Sequence, residues 1–470
     1  MNDKTRNRIL LVLFLGVLMG ALDIAIVAPA LPSIQKFFNI SDRSLTWAFT
    51  IYVLFNLIGT PLMAKLSDRY GRRVIYILDV ALFAAGSLIV SLSPADGFGV
   101  LLAGRAMQGF GAGGIFPVAS AVIGDTFPPE KRGSALGLIG AVFGLAFLIG
   151  PILGGIILSF AGWQWLFLIN LPIAAVVILM GSSLLPATRP AEQRPFDTAG
   201  MATLGLALAA LAFGLNQIDT QNFLTSLISL KVAPALLGGL LLLFIFGRVE
   251  RKATDPVLNL RLFKSRQTVL ASVLSAGAGL GEVGMVFIPA LGLAAMPAII
   301  NKQNASYLLL PVVLAMAIGS PLVGRMLDKF GSKVMVLAGT ILLAAGMLML
   351  SSQLTYLLGG FIISSVVIGL GLSSLLGAPM RYIMLNEASE ADRTSAQGVI
   401  TLFTSIGQMT SSAVVGAVAA SLGGGVKGYT SAYLVIGIFA AVMVVLALGL
   451  KNQQQERASQ KQHQPALSSD

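Results

Sequence analysis

The 470-residue chain is 56% hydrophobic and only 11% charged, with a mean hydropathy of +0.86 and no cysteine. A soluble domain carries about a quarter charged residues, so the composition excludes a soluble globular protein, and the lack of thiols excludes disulfide chemistry. The net charge of +11 invites a nucleic-acid reading, which the placement of the charges argues against.

Apolar runs of roughly 20 residues recur along the chain, each long enough to cross about 30 Å of hydrocarbon as a helix. In chain order they predict spans 1 to 14 at 9–31, 44–64, 74–93, 98–122, 134–159, 163–185, 198–216, 232–249, 267–291, 304–324, 334–353, 357–380, 394–423 and 429–450. The first run follows a basic start, as a signal peptide would. It is too long for one and contains Asp23, so it reads as a retained span. On these boundaries one side of the membrane holds 25 of the 31 Lys and Arg, the other holds Lys36, Arg43, Lys231, Lys302 and Lys427, and Arg105 lies inside span 4. That asymmetry predicts cytoplasmic termini. The basic balance is a topology signal, and no nucleic-acid partner is expected.

The chain is also duplicated. Residues 60–74, TPLMAKLSDRYGRRV, align without gaps on residues 320–334, SPLVGRMLDKFGSKV, with five identities at an offset of 260. Repeated halves of this kind place a substrate path at their interface. Six spans precede Leu185 and six follow Arg266, with two weaker runs between them. A twelve-span protein with a long amphipathic insert is the alternative for that middle. The expected fold is all-α and polytopic, with an N-terminal six-span bundle (1–185), linkers and two extra spans (186–266), a C-terminal six-span bundle (267–450) and a disordered tail (451–470). The lone histidine, His463, falls in that tail.

Isolated charges stand out in such a chain. Asp23 is alone in an uncharged run, about 21 Å from the start of span 1 at 1.5 Å per residue. Arg105 lies about 10 Å below the opposite face by the same count, so the two depths permit an ion pair. Glu282 is the other lone acid. It precedes Asp328 by 46 residues, as Asp23 precedes Asp68 by 45, while Ser365 stands at the repeat's equivalent of Arg105. A static pair that fixes helix packing is the bland alternative for Asp23 and Arg105, and a neutral, hydrogen-bonded carboxyl is the alternative for Glu282. Asp79, about two turns inside span 3, is expected to reach water at the membrane edge. GFGAGG (109–114) lacks the Lys-Ser/Thr of a phosphate loop, so no nucleotide cofactor, metal or enzymatic activity is expected.

Several segments carry a family pattern. LDIAIVAPALP (22–32), AKLSDRYGRR (64–73), RAMQGFGAGG (105–114), GPILGG (150–155) and WQWLFLINLP (163–172) occur in order and at the expected spacing. Together they resemble the fourteen-span drug:proton antiporters of the major facilitator superfamily, with Ala64 and Ala146 where that family usually has glycine. The resemblance implies a fold of two pseudo-symmetric six-helix bundles plus two linker helices, working as a monomer in a bacterial membrane to exchange protons for small apolar or amphipathic substrates. It implies proton coupling by Asp23 and Arg105, while Glu282, an unpaired acid in an apolar run, is expected to take up a proton or attract a cationic substrate. It also implies a gate at Asp68, Arg69, Gly71, Arg72 and Arg73, mirrored by Asp328 and Gly331, and an export motif at Gly150, Pro151, Gly154 and Gly155. Close helix packing by small residues is the alternative reading of that last motif. An exporter of a lipid or lipid-linked metabolite is the nearest rival function, and a membrane sensor that has lost transport is the rival from another class.

The expected orientation is checked by labelling. Cysteines at Lys36 and Lys427 react with an impermeant thiol reagent added outside intact cells, and one at Arg69 does not. Outside labelling at Arg69 reverses the topology.

Overall fold

The computed structural model describes residues 2–40, 42–187, 197–219, 222–300 and 305–456. Among these residues every regular element is a helix, and fourteen helical stretches are long and apolar enough to cross a membrane. Both weak central runs are helices, Thr198–Asn216 and Ala233–Glu250. They pack on each other, and span 7 also rests against spans 2 and 13. Leu237, Leu240, Leu241 and Phe244 of span 8 are exposed, as a lipid-facing helix requires. The middle of the chain is a helical pair, not an amphipathic insert.

Helix ends follow local chemistry. Span 5 (Pro129–Phe160) opens with a proline in its first turn, where the missing N–H costs nothing. Asp197 caps span 7 by accepting from the Gly200 amide at 2.7 Å. Gly71 and Gly331 take φ +98 and +82, a backbone that favours glycine, and so form the tight turns between spans 2 and 3 and spans 10 and 11. Several helices outrun their apolar cores. Span 1 extends over Asp3–Phe38, beyond its apolar run at both ends. Span 12 is two helices, Leu358–Leu375 and Ala378–Glu387. Pro379 cannot donate into the preceding turn, which interrupts the ladder there.

The two repeats form two bundles, whose hydrophobic clusters are drawn mainly from one half each but share residues across the seam, such as Leu57 in one and Leu327, Tyr382 and Leu385 in another. They meet along spans 5 and 10 (Leu310–Phe330) and, by the same pseudo-symmetry, along spans 2 (Asp42–Tyr70) and 13 (Arg393–Ser421). The first seam depends on missing side chains. A Cβ on Gly137 would stand 2.6 Å from the Ser320 carbonyl oxygen, one on Gly144 2.6 Å from the Ala317 amide nitrogen, and one on Gly324 2.5 Å from the Gly133 carbonyl oxygen. The second seam is looser. Ala64, the repeat's counterpart of Gly324, lies 3.1 Å from where a Cβ on Gly398 would be. Of the GPILGG residues, Gly150 packs against Ala25 of span 1 and Gly154 is buried, whereas Pro151 and Gly155 are exposed and nothing lies within 4 Å of a Cβ on Gly155.

An even number of spans brings both ends of the chain to one face, the terminal face. The linker after span 8 docks there: Glu250 accepts from the Val257 and Leu258 amides at 3.1 and 3.0 Å, and Lys65 pairs with Asp255 at 2.6 Å. Most of the other linker, residues 188–196, lies outside the described residues. The expectation of a loose tail from residue 451 is corrected for its start. Lys451 pairs with Glu387, Gln453 donates to the Lys329 carbonyl at 2.8 Å, and Glu456 accepts from both the amide and the hydroxyl of Ser332. The Glu456 contact satisfies the buried start of span 11, whose first amides have no partner within the helix. Residues 457–470, including Arg457 and His463, lie outside the described residues.

The seam makes a direct prediction. Gly137→Leu forces spans 5 and 10 apart at a cost on the order of 1–3 kcal/mol, lowering the melting temperature of the purified protein by several degrees. Gly155→Leu leaves it unchanged. Equal melting of the two variants removes close approach as the reason for glycine at 137.

Candidate functional site

Asp23 and Arg105 meet at the centre of the N-terminal bundle. The Arg105 Nη1 lies 2.6 Å from Asp23 Oδ2, with both side chains essentially inaccessible. Such a pair survives burial only if its remaining donors and acceptors are satisfied, and the neighbouring spans do most of this. Gln108 Nε2 donates to Asp23 Oδ1 at 3.0 Å and Asn170 Nδ2 donates to the same oxygen at 3.1 Å. Arg105 donates to Gln108 Oε1 at 2.8 Å and to the Ala48 carbonyl at 3.1 Å, and Ser87 accepts from both amides. The guanidinium also stacks over Tyr52, 4.2 Å from the ring centroid. Five spans, 1, 2, 3, 4 and 6, are therefore tied to one carboxylate.

A cavity lies between the bundles, lined by Val17, Ala21, Tyr52, Asn56, Phe116 and Phe143 on one side and Glu282, Met316, Arg381, Thr401, Thr404 and Gln408 on the other, among others. Asp23 and Arg105 are not part of its lining, but Tyr52, over whose ring Arg105 lies, is. Glu282 reaches the cavity directly. Its carboxylate accepts from Gln408 Nε2 at 2.8 Å, and among the described residues no cation lies within ion-pair distance. Ser365, at the position related to Arg105, is buried with its hydroxyl unpartnered among the described residues.

At the terminal face the repeated Asp residues act across the seam in the same way. Asp68 accepts from the Thr394 and Ser395 amides at 3.1 and 2.8 Å and from the Ser395 hydroxyl at 2.7 Å. Asp328 accepts from the Gly133 and Ser134 amides at 2.8 and 2.9 Å and from the Ser134 hydroxyl at 2.6 Å. Asp68 caps the first turn of span 13, where free amides and the helix dipole favour negative charge, whereas Asp328 takes amides of the second turn of span 5. The halves differ one turn later. Arg72 bridges Asp68 at 3.0 Å and Asp125 at 2.5 Å, and Arg393 joins Asp125 at 2.6 Å. Ser332 occupies the position related to Arg72, and no ion pair forms at Asp328 among the described residues. The other arginines of the motif turn elsewhere: Arg69 lies over Tyr70, and Arg73 donates to the Ser182 carbonyl at 3.2 Å.

One expectation is corrected. Asp79 does not reach water: it is fully buried against Gly114, and neither carboxylate oxygen has a hydrogen-bond partner among the described residues. An aspartate side chain is too short to climb two helical turns. Sequence reasoning also passed over Gln108, Asn170, Gln408 and Arg381. The amides carry no charge to mark them in an apolar run, although Gln108 and Asn170 lie inside quoted motifs. Arg381 was hidden because span 12 was ended on the charge itself.

Comparison with known proteins follows the geometry. The sequence model of the Major Facilitator Superfamily matches residues 13–300 and 284–469. The multidrug transporter protein MdtP of Bacillus subtilis (strain 168) is 30% identical over 429 residues, covering 88% of this chain and 76% of that protein. The riboflavin transporter RibZ of Clostridioides difficile (strain 630) is 26% identical over 376 residues, 79% of each. Among solved structures, the proton:xylose symporter XylE superposes with a TM-score of 0.69 at 15% identity, covering 97% of this chain and 99% of that one.

The buried pair predicts non-additive stability. Arg105→Ala strands the Asp23 carboxylate and costs about 3–5 kcal/mol, read as a large drop in melting temperature. Adding Asp23→Asn restores part of the loss. If the double variant melts at the sum of the two single losses, the two groups are not energetically coupled.

Proposed function

The chain belongs to the major facilitator superfamily, and from that membership we propose that it is a proton-coupled antiporter exporting bulky apolar or amphipathic compounds. The terminal face is the cytoplasmic face of a bacterial plasma membrane, following the distribution of Lys and Arg, and the protein works as a monomer. The observation that carries the reading is the carboxylate of Asp23, enclosed by five spans while its partner Arg105 lies over Tyr52, a residue of the central cavity's wall.

The cycle follows from what each group holds. With both cross-half contacts formed, Asp68 on span 13 and Asp328 on span 5 hold the cytoplasmic side shut. Opening that side breaks both contacts together. Protonation of Asp23 weakens its hold on Arg105, Gln108 and Asn170, which lets spans 1 and 4 shift and passes the change to the cavity wall through Tyr52. Substrate entering from the cytoplasm favours release of that proton, and this makes the two fluxes opposite. Glu282, open to the cavity and held by one amide, serves cationic substrates more than coupling. The relation to a riboflavin transporter favours a second reading, export of a ring-bearing metabolite, through the same machinery.

The test is a screen in vesicles with an imposed pH gradient, using hydrophobic cationic dyes, flavins and neutral amphipaths. The parent protein moves at least one class against its gradient. Asp23→Asn abolishes gradient-driven efflux and retains counterflow of the same compound. Undiminished efflux by Asp23→Asn removes this residue from coupling, and no gradient-driven flux for any class removes the antiport reading.

A further inference from the structure

The protein buries two arginines at depth and treats them differently. Arg105 has a carboxylate at 2.6 Å. Arg381, 5% exposed on the second helix of span 12, has none within ion-pair distance among the described residues. Its contacts are weak for a guanidinium with five donors. Nη1 reaches Gln397 Oε1 at 3.4 Å, Nη2 reaches Thr401 Oγ1 at 3.2 Å, and the buried Nε has no partner among the described residues. The plane of charge lies over Phe116 of the other bundle, 3.5 Å from the ring centroid. A buried cation without a matching anion is costly, and this one borders the central cavity.

The surroundings give the site a direction. Thr401, Thr404 and Gln408 lie along one stripe of span 13 and all line the cavity, with Arg381 bound near the Thr401 end and Glu282 at Gln408. Seven residues of helix separate those ends, a rise of about 10 Å. The cavity thus offers a cation and an acid at two levels, with apolar wall from Phe116, Phe143 and Met316 between and around them.

We infer that Arg381 is an anion-binding subsite of the transport cavity, so that the preferred substrates include amphipathic carboxylates, and zwitterions whose cationic end reaches toward Glu282. This rests on the transport reading and narrows its substrate class. The guanidinium fork matches a carboxylate in a way a lysine does not. An anion seated there replaces the internal partner that Arg381 lacks. Because Phe116 belongs to one bundle and Arg381 to the other, occupancy joins the halves across the cavity.

A matched pair of probes tests this: 1-naphthaleneacetate and 1-naphthaleneacetamide, which differ by a charge at nearly constant shape. Equilibrium dialysis against the purified full chain in phosphatidylcholine nanodiscs gives at least tenfold tighter binding of the acid. Arg381→Gln brings the acid to the level of the amide without weakening the amide, and Arg381→Lys keeps part of the preference. Melting curves confirm that each variant is folded before its ratio is used. Equal binding of the two probes by the parent, or a preference that survives Arg381→Gln, overturns the inference. Adding phosphatidylglycerol separates two sources of anion: displacement of the acid by this lipid assigns the site to a headgroup and overturns the substrate assignment. Counterflow of ethidium in vesicles keeps the readings apart. Dye movement without acid preference ends this inference and leaves transport standing, whereas no flux of any solute ends the transport reading itself.

Discussion

A charge placed at the depth of a bilayer core must be matched or it is very costly, and this constraint organises the molecule. Asp23 and Arg105 are matched by one another, and two amides and a backbone carbonyl take up most of the remaining bonds, so spans from across the N-terminal bundle converge on them. Glu282 has a single amide, Arg381 has a ring and two weak acceptors, and Asp79 has no partner among the described residues. The best-satisfied charges lie sealed from the cavity, and the least-satisfied pair of opposite sign lies along its wall. A static scaffold would gain by matching both pairs. A machine that must bind a solute between its halves gains by leaving the second pair for that solute.

The same economy acts at the seam. Asp68 and Asp328 need no charged partner across the interface, because amides in the first turn of span 13 and the second turn of span 5, with a serine hydroxyl in each, supply directed donors near helix N-termini. Glycines on spans 5 and 10 bring backbones close enough for those contacts to form. The duplication is incomplete where it matters for control: Arg72 links Asp68 to Asp125 and Arg393, while Ser332 leaves Asp328 without a cation and receives Glu456 from the tail instead. One cross-half contact is accompanied by an ion-pair chain and the other by the docking of Glu456 one turn later.

Much of this was legible in the sequence. Fourteen apolar runs, their basic flanks and the repeat at 60–74 and 320–334 specify spans, bundles and the positions of the two cross-half contacts. Counting residues along two antiparallel helices placed Asp23 and Arg105 at one depth, because helical rise is fixed. What escaped has a physical reason in each case. Hydropathy cannot single out Gln108, Asn170 or Gln408 when their work is done by neutral amides. It ended span 12 at the charge of Arg381, although the helix after Pro379 continues to Glu387. It treated Asp79 as able to reach the edge, because depth along a helix says nothing of which neighbour, here Gly114, closes over the side chain. The docking of residues 451–456 depends on a cap offered by a distant helix, which local composition cannot reveal.

The central claim is that Asp23 holds the coupling proton while Glu282 belongs to the substrate. Proton release on adding a transported compound to purified protein in weakly buffered solution tests it most directly. The expected result is release from the parent, release from Glu282→Gln, and none from Asp23→Asn. Release from Asp23→Asn at the parental level, with Glu282→Gln silent, would reverse the roles of the two acids and move the coupling site into the cavity.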